Sequence, residues 1–361
     1  MWANSFLKDF HWSLFVSAIS LSLVGLLFIL SASWGGDISY VSRQLLWLGV
    51  GIVALSLIVW MGYRSFLNLS FLLYGISILL LILVMISGIS TKGAQRWLDF
   101  GVIALQPSEF CKLATILALA RVLGSQRPGK NQWGILLGAT ALVLFPLGFI
   151  LKQPDLGTAL IFIPVFFCML YVWGAKLRYL LGSLVLGLAS MPLFWMLLKE
   201  YQRRRLLVFV NPNVDPLGAG FAAIQSKIAV RSGMMLGRGW LEGTQNQLHF
   251  IPEHHTDFIF SVIGEEWGFL GACVLLTLYA IFFWRATSVG SQITETSGKL
   301  LVVGIVAMLV FHVFINIGMT IGIMPITGLP LPFISYGGSS LISSFISVGL
   351  IISVYRTRSI F

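Results

Sequence analysis

The chain has 361 residues, 57% hydrophobic and 10% charged, with 23 basic and 13 acidic side chains and a formal net charge of +10. Soluble proteins carry about 25% charged residues, and the apolar runs are near the length that crosses ~30 Å of hydrocarbon as helix; a water-soluble globule is excluded, and so is a β-barrel, whose strands alternate over about ten residues. The basic residues sit in loops, where topology and lipid headgroups account for them, so no nucleic-acid partner is implied.

The expected fold is all-α: a polytopic integral membrane protein forming a single membrane domain over residues 1–361. Ten spans are predicted, at roughly 12–33, 43–61, 66–87, 107–124, 133–151, 155–174, 177–198, 258–284, 299–322 and 332–355. "SASW" at Ser31 faintly resembles a signal-peptidase site, but the run before it is long enough to span, which predicts an uncleaved first helix. Eight connections are short. The ninth, about 199–257 between the seventh and eighth spans, is far longer and rich in polar residues.

Lys8, Arg64, Arg121, Arg127, Lys130, Lys176, Arg178, Arg285, Lys299, Arg356 and Arg358 fall on one side of the spans. The short loops of the other side hold only Arg43, Lys92, Arg96 and Lys152. Cytoplasmic loops carry the basic excess, so both termini are expected in the cytoplasm and the long loop outside. Cys111, Cys168 and Cys273 lie in apolar runs, with neither disulfide nor metal spacing. No phosphate-cradling lysine loop or dinucleotide glycine fingerprint is present, which argues against an ATP-driven pump. No period of 20–50 residues repeats, though "QPSE" at Gln106 is echoed by "QPDL" at Gln153.

Glu109 and Lys112 lie three residues apart on one face of the fourth span. Charges inside a span usually face a bundle interior or wet cavity. A structural ion pair, or a glutamate favouring the helix N-terminus, explains them as well as a reaction site does. Asp155, at the start of the sixth span, has the same ambiguity. In the long loop, Phe221, Ile224 and Ile228 recur at helical spacing beside Lys227 and Arg231, the pattern of an amphipathic helix lying on the outer membrane surface. Its basic edge suits headgroups in general or one anionic lipid phosphate, for which Arg203 and Arg205 are further candidates because arginine binds phosphate through planar, paired donors.

The stretch "IPEHHTDFIFSVIGEEWGF" from Ile251 gathers histidines and acids at the lip of the eighth span. His249, His254 and His255 fit no metal-ligand spacing. Asp257 directly precedes the apolar run, as a helix N-cap does. With the helix starting there, Ser261 and Glu265 follow within about 80° of its face, Glu265 roughly 12 Å deeper. An acid at the rim backed by polar groups suits a reaction site as well as a cap. "PITGLPLPFISYGGSS" predicts a rigid last outer loop and a tight turn into the final helix. His312 and Asn316 share a face of the ninth span, where hydrogen bonding between helices is the ordinary role.

"KGAQRWLDFG", "QPSEFCKL", "QPDLGT", "YQRRR", "NPNVDPLGAGFAAIQSKIA", "GWLEGTQNQLHFIPEHHTDFIF", "GEEWG" and "LPLPFISYGGSS" follow one another in the order found in the SEDS family of cell-wall polymerases, and the chain resembles that family over nearly its whole length. "KGAQRWLD", "QSKIA" and "GWLEGTQ" are more similar to the elongation member than to the division member. Trp267 stands where leucine is common, and Gly264 where glycine and alanine alternate. The resemblance implies a glycosyltransferase that polymerises lipid II on the outer face of the cytoplasmic membrane. It also implies a class B penicillin-binding protein as partner and support by a divalent cation, Mg²⁺ or Mn²⁺, with no ligand set singled out. In the family the "HTDF" aspartate, here Asp257, is essential and taken as catalytic; Glu109, Lys112 and Asp155 also match positions that matter. The expected chemistry has Asp257 as general base on the 4-hydroxyl of an acceptor N-acetylglucosamine. That oxygen displaces undecaprenyl pyrophosphate from the donor with inversion, while Lys112, Arg203, Arg205 or the cation offset the leaving charge. A lipid II flippase and a non-catalytic scaffold for the penicillin-binding protein are the alternatives. A flippase needs paired polar groups along a path that opens on both sides, whereas the unusual charges gather towards the outer face, and a scaffold leaves Glu109, Asp155 and Asp257 without a reason.

Overall fold

The computed structural model of the chain describes residues 10–34, 37–91, 94–99, 104–126, 132–216, 218–248 and 250–357. His249, weighed above as a metal ligand, and Lys8, Lys92, Arg127, Lys130 and Arg358 of the charge distribution lie outside the described residues.

Helices α1 (Trp12–Ala32), α2 (Ser39–Met61), α3 (Tyr63–Asn68) and α4 (Ser70–Ser87) come first. A small antiparallel sheet follows, of β1 (Ile89–Thr91), β2 (Ala94–Asp99) and β3 (Ala104–Leu105), with Ile89 opposite Trp97 and Leu98 opposite Leu105. Next are α5 (Pro107–Gly124), α6 (Gln132–Lys152), α7 (Leu156–Trp173), α8 (Leu177–Ala189) and α9 (Met191–Leu197). The long loop folds into α10 (Glu200–Val210), a 3₁₀ turn at Pro212–Val214, α11 (Ala219–Ser232) and α12 (Thr244–Gln247). The chain closes with α13 (Ile259–Glu266), α14 (Gly268–Ser291), α15 (Thr296–Ile321) and α16 (Gly338–Arg356).

Among the described residues, α1, α2, α4, α6, α7, α14, α15 and α16 are the eight helices long and apolar enough to cross a membrane. α15 and α16 bury 72% and 78% of their most apolar stretch, against 28% for α2, α4, α6 and α14. The first two are therefore the centre of the bundle, and the others form a shell whose exposed leucines and tryptophans suit lipid, where burial against protein is not required. α5 packs between α4 and α15 and is buried along nearly its whole length. Its first residue is Pro107, whose fixed φ and missing N–H suit a first helical turn.

Three expectations are corrected. The seventh predicted span is two helices, α8 and α9, divided at Ser190 ahead of Pro192, which has no amide to continue the ladder. The eighth predicted span is broken at Trp267: the spanning helix is α14, and α13 is a separate short helix before it. Gly268, at a φ of +63°, makes the break, and the first free amides of α14 are satisfied from outside. Phe269 N donates to Met234 O at 2.9 Å and Leu270 N to Met235 O at 3.1 Å. Finally, α11 does not lie apart on the membrane surface. It packs on α13 and α15 through the small residues Ala223, Ser226 and Ala229, while Phe221 and Ile224 are half-buried and Ile228 is exposed. Small side chains let the backbones approach closely, and Ser226 Oγ donates to Thr320 O at 2.8 Å.

Candidate active site

The turn before α13 carries Asp257, and its geometry starts at Glu253. That residue holds a φ of +55°, a left-handed conformation costing a side-chain-bearing residue roughly 1–2 kcal/mol. Its carbonyl accepts the amides of Thr256, Asp257 and Phe258 at 3.2, 3.1 and 3.3 Å. Three further groups fix the turn from outside: Ser335 Oγ donates to Thr256 O at 2.6 Å, Asn316 Nδ2 to Asp257 O at 2.9 Å, and Tyr336 N to His255 O at 3.0 Å. Asp257 is not the N-cap. Phe258 occupies that position, without a side-chain cap bond, because the three-amide turn on Glu253 delays the helix by one residue.

The carboxylate of Asp257 lines a cavity of about 340 Å³ together with Glu253, His255, Arg96, Arg205, Gln106, Gly328 and Tyr336. The walls come from distant parts of the chain: β2 supplies Arg96, α10 supplies Arg205, and the loop between α15 and α16 supplies Gly328. A β-carbon at Gly328 would stand 3.1 Å from Asp257 Oδ2 and 3.9 Å from Arg205 Nη1, so the missing side chain leaves room between an acid and a cation. Arg205 Nη1 also donates to Ile326 O at 3.2 Å. Arg96 donates to Pro154 O, and its Nη1 lies 3.7 Å from Asp155 Oδ1. Asp155 in turn caps α7, accepting from Thr158 N at 3.2 Å and Thr158 Oγ1 at 2.9 Å. Asp155 thus reaches the cavity through Arg96 rather than directly.

Gln106 lines the cavity one residue before α5, and Glu109 and Lys112 follow inside the bundle. Lys112 Nζ donates to Glu109 Oε1 and to His312 Nε2, both at 2.7 Å. Since the ammonium only donates, His312 Nε2 accepts, and Nδ1–H is left to donate to Met308 O at 2.8 Å. Ser343 Oγ donates to Glu109 Oε2 at 3.2 Å. This buried pair is held by three helices and lies behind the cavity wall, not on it.

The remaining candidates point elsewhere. Arg203 donates to Trp195 O at 3.0 Å and Met196 O at 2.7 Å, tying α10 to the end of α9. Lys227 lies over Gly322, and Arg231 is exposed. Ser261 Oγ turns back to Phe258 O at 2.6 Å within its own helix. Glu265 accepts from Gln245 N at 2.9 Å, Asn246 N at 3.2 Å and Thr244 Oγ1 at 3.2 Å, so it anchors the long loop at α12 rather than backing Asp257. His254 places one ring nitrogen 2.9 Å from Ile251 O and the other 2.8 Å from Ala32 O, while His255 stacks on Tyr40 at 4.6 Å.

Sequence reasoning passed over Arg96, Gln106, Glu253, Gly328 and Tyr336 as site residues, and weighed His255 only as a metal ligand. Among the described residues, no three His, Cys, Asp or Glu side chains gather as a cation-binding group. Asp257 and Glu253 are the carboxylates on the cavity wall. Carboxylate oxygen is the donor type that a hard divalent cation takes, with water and substrate phosphates completing its shell.

The sequence model of the FtsW/RodA/SpoVE family, described as cell cycle protein, matches residues 11–360. The peptidoglycan glycosyltransferase MrdB of Escherichia coli (strain K12) is 38% identical over 343 residues, covering 94% of this chain and 92% of that protein. The peptidoglycan glycosyltransferase RodA of Treponema pallidum (strain Nichols) is 33% identical over 425 residues, covering 96% and 98%. A chain from a solved peptidoglycan synthase complex, studied for the coordination of polymerization and crosslinking, superposes with a TM-score of 0.84 at 36% identity, covering 97% of this chain and 98% of that one. The rod shape determining protein RodA of Thermus thermophilus gives 0.74 at 33% identity, covering 97% of each chain.

Proposed function

The chain belongs to the FtsW/RodA/SpoVE family of cell cycle proteins, the SEDS family, and from that premise we propose that it polymerises lipid II in the cavity beside Asp257. It is a peptidoglycan glycosyltransferase and a multi-pass membrane protein. One observation carries the assignment of the site: a carboxylate on a hydrogen-bonded turn lines the cavity beside a residue with no side chain, with a guanidinium on the same wall.

In this reading Asp257 takes the proton from the 4-hydroxyl of the acceptor N-acetylglucosamine as that oxygen attacks the donor's anomeric carbon. Attack opposite the α-linked leaving group forms the β-1,4 bond with inversion and releases undecaprenyl pyrophosphate. A positioned base contributes typically 10²–10⁴-fold. Arg205 and Arg96, the guanidinium groups on the cavity wall, replace Arg203 and Lys112 as the donors nearest the leaving charge. Lys112 instead fixes Glu109 behind the wall. A divalent cation, Mg²⁺ or Mn²⁺, would offset the charge of the pyrophosphate, and Glu253 is the cavity-wall carboxylate left to hold it while Asp257 serves as base. The activated substrate supplies the energy, consistent with a chain lacking an ATP-binding loop.

The proposed topology has ten crossings, with α5 and the α8–α9 pair added to the eight apolar helices, both termini cytoplasmic and the cavity outside. A class B penicillin-binding protein is the proposed partner; the likeness to a complex that couples polymerization with crosslinking supports it.

The test is polymer formation from lipid II and a divalent cation by purified protein, with the penicillin-binding protein in every arm. Wild type makes glycan strands, and Asp257→Ala loses at least about 10²-fold. Equal polymer from the variant would sink the base assignment. Movement of lipid II between leaflets without any polymer would favour a flippase.

A further inference from the structure

We propose that Asn316 is the positioning residue of this site, a role that rests on the reading of Asp257 as the base. Asn316 is fully buried on α15, and its Nδ2 donates both hydrogens to main-chain carbonyls: Asp257 O at 2.9 Å and Leu329 O at 2.7 Å. The first carbonyl belongs to the acid itself. The second belongs to the residue after Gly328, whose open α-carbon faces the Asp257 carboxylate. One amide therefore sets the spacing of the two segments that bound the reacting position.

The orientation of the amide is fixed by its partners, because the reverse would set its oxygen against two carbonyl oxygens. That oxygen, Oδ1, is buried and has no hydrogen-bond partner among the described residues. A leucine of similar size would pack in the same helix without stranding an acceptor. An asparagine whose acceptor is left unpaired makes sense for its two donors. The same face of α15 presents His312 one turn earlier to Lys112, so a single central helix carries the supports of both the buried ion pair and the Asp257 turn.

Without the amide, neither carbonyl has its donor and the two walls are free to shift independently. Asn316 touches no substrate in this scheme, so binding is retained while the base is misplaced. A displacement of about 1 Å is enough to cost about 10²-fold in turnover.

The test uses full-length protein with its penicillin-binding partner, lipid II and a divalent cation, comparing wild type, Asn316→Leu, Asn316→Asp and Asp257→Ala. We expect kcat to fall about 10²-fold in both Asn316 variants with KM for lipid II within about threefold of wild type. Hydrogen exchange should quicken at residues 253–258 and 326–331 and stay unchanged in α5. If Asn316→Leu does not fold, as judged by thermal unfolding, the isosteric Asn316→Asp, with at most one donor, decides. Wild-type kcat in a folded variant, or a loss confined to KM, overturns the role. Full activity of Asp257→Ala would instead overturn the underlying base assignment, whatever the Asn316 variants do.

Discussion

A β-carbon at Gly328 would enter the space between Asp257 Oδ2 and Arg205 Nη1, and the φ of +72° adds strain for most side chains. Gly328→Ala is expected to cut polymerisation by about 10-fold or more, since the filled position displaces the acceptor. Gly328→Asn separates space from strain, because asparagine tolerates positive φ: it should lose activity too, and recovery in the strand assay would reject the steric account. Removing the ammonium from the buried pair by Lys112→Met leaves Glu109 with Ser343 as its recorded partner, which costs about 3–5 kcal/mol. Thermal unfolding should show that loss, and the double variant Glu109→Gln/Lys112→Met should unfold at a higher temperature than the single one. Asp257, Asp155 and Glu109 were legible in the sequence because carboxylates are rare beside apolar runs. Arg96 and Glu253 were not, since loop charges are ordinary, and Gly328 acts by an absent side chain that matters only once the opposite wall is known. Arg203 and Arg205 could not be separated by type, but two positions on a helix differ by about 200°, and only Arg205 turns to the cavity.

At the scale of elements, hydropathy joined α13 and α14 into one span because both pieces are apolar. Nothing in that pattern reports that the amides at the break are taken by Met234 and Met235. The same blindness hid the sheet of β1 to β3, too short to register against spans of twenty residues, although β2 carries Arg96 to the site. Glu265 was expected to support Asp257 from below and instead binds the start of α12, because the break packs α13 with the folded long loop. At the other end of the bundle, α3 and α15 are clasped: Tyr63 Oη and Arg64 Nη2 donate to Glu295 Oε2 at 2.7 and 2.8 Å. Burial alone would raise the Glu295 carboxyl, but the two hydrogen bonds and the Arg64 charge together hold it below its ordinary 4.5. A depressed folded value stabilises above the unfolded value and is lost as pH falls through the folded one. With Arg64 and Glu295 52% and 39% exposed, the contribution stays below about 1 kcal/mol. The difference in thermal midpoint between wild type and Glu295→Gln should be small at about pH 7 and vanish as the pH falls below the depressed folded value; a difference that grows on acidification would contradict the clasp.

Over the whole molecule, the polar groups that were hard to place one by one acquire a common direction. The cavity, the sheet, Asp155 and the folded long loop gather at one end of the bundle. Arg64, Arg121, Lys176, Arg178, Arg285, Lys299 and Arg356 belong to loops or helix ends at the other. The membrane character and the chain order of the helices could be read from composition and run length, since lipid imposes both. The count of ten crossings rests on less, because α5 is buried among helices rather than strongly apolar, and α8 with α9 divides a run that looks continuous. Orientation is the property on which the proposed chemistry depends most, since lipid II must meet the cavity on the outer face. Glu242 is exposed on the long loop, and Ser291 is exposed where α14 ends, about 35 Å along that helix from Gly268. Cysteines placed at these two positions should differ in reactivity toward a membrane-impermeant maleimide. Glu242→Cys should label in intact spheroplasts, and Ser291→Cys only after permeabilisation. Cys111 is buried, and Cys168 and Cys273 are half-buried within apolar helices, so their background should be low. The opposite labelling pattern would put Asp257 in the cytoplasm and reject outer-face polymerisation however well the cavity suits it.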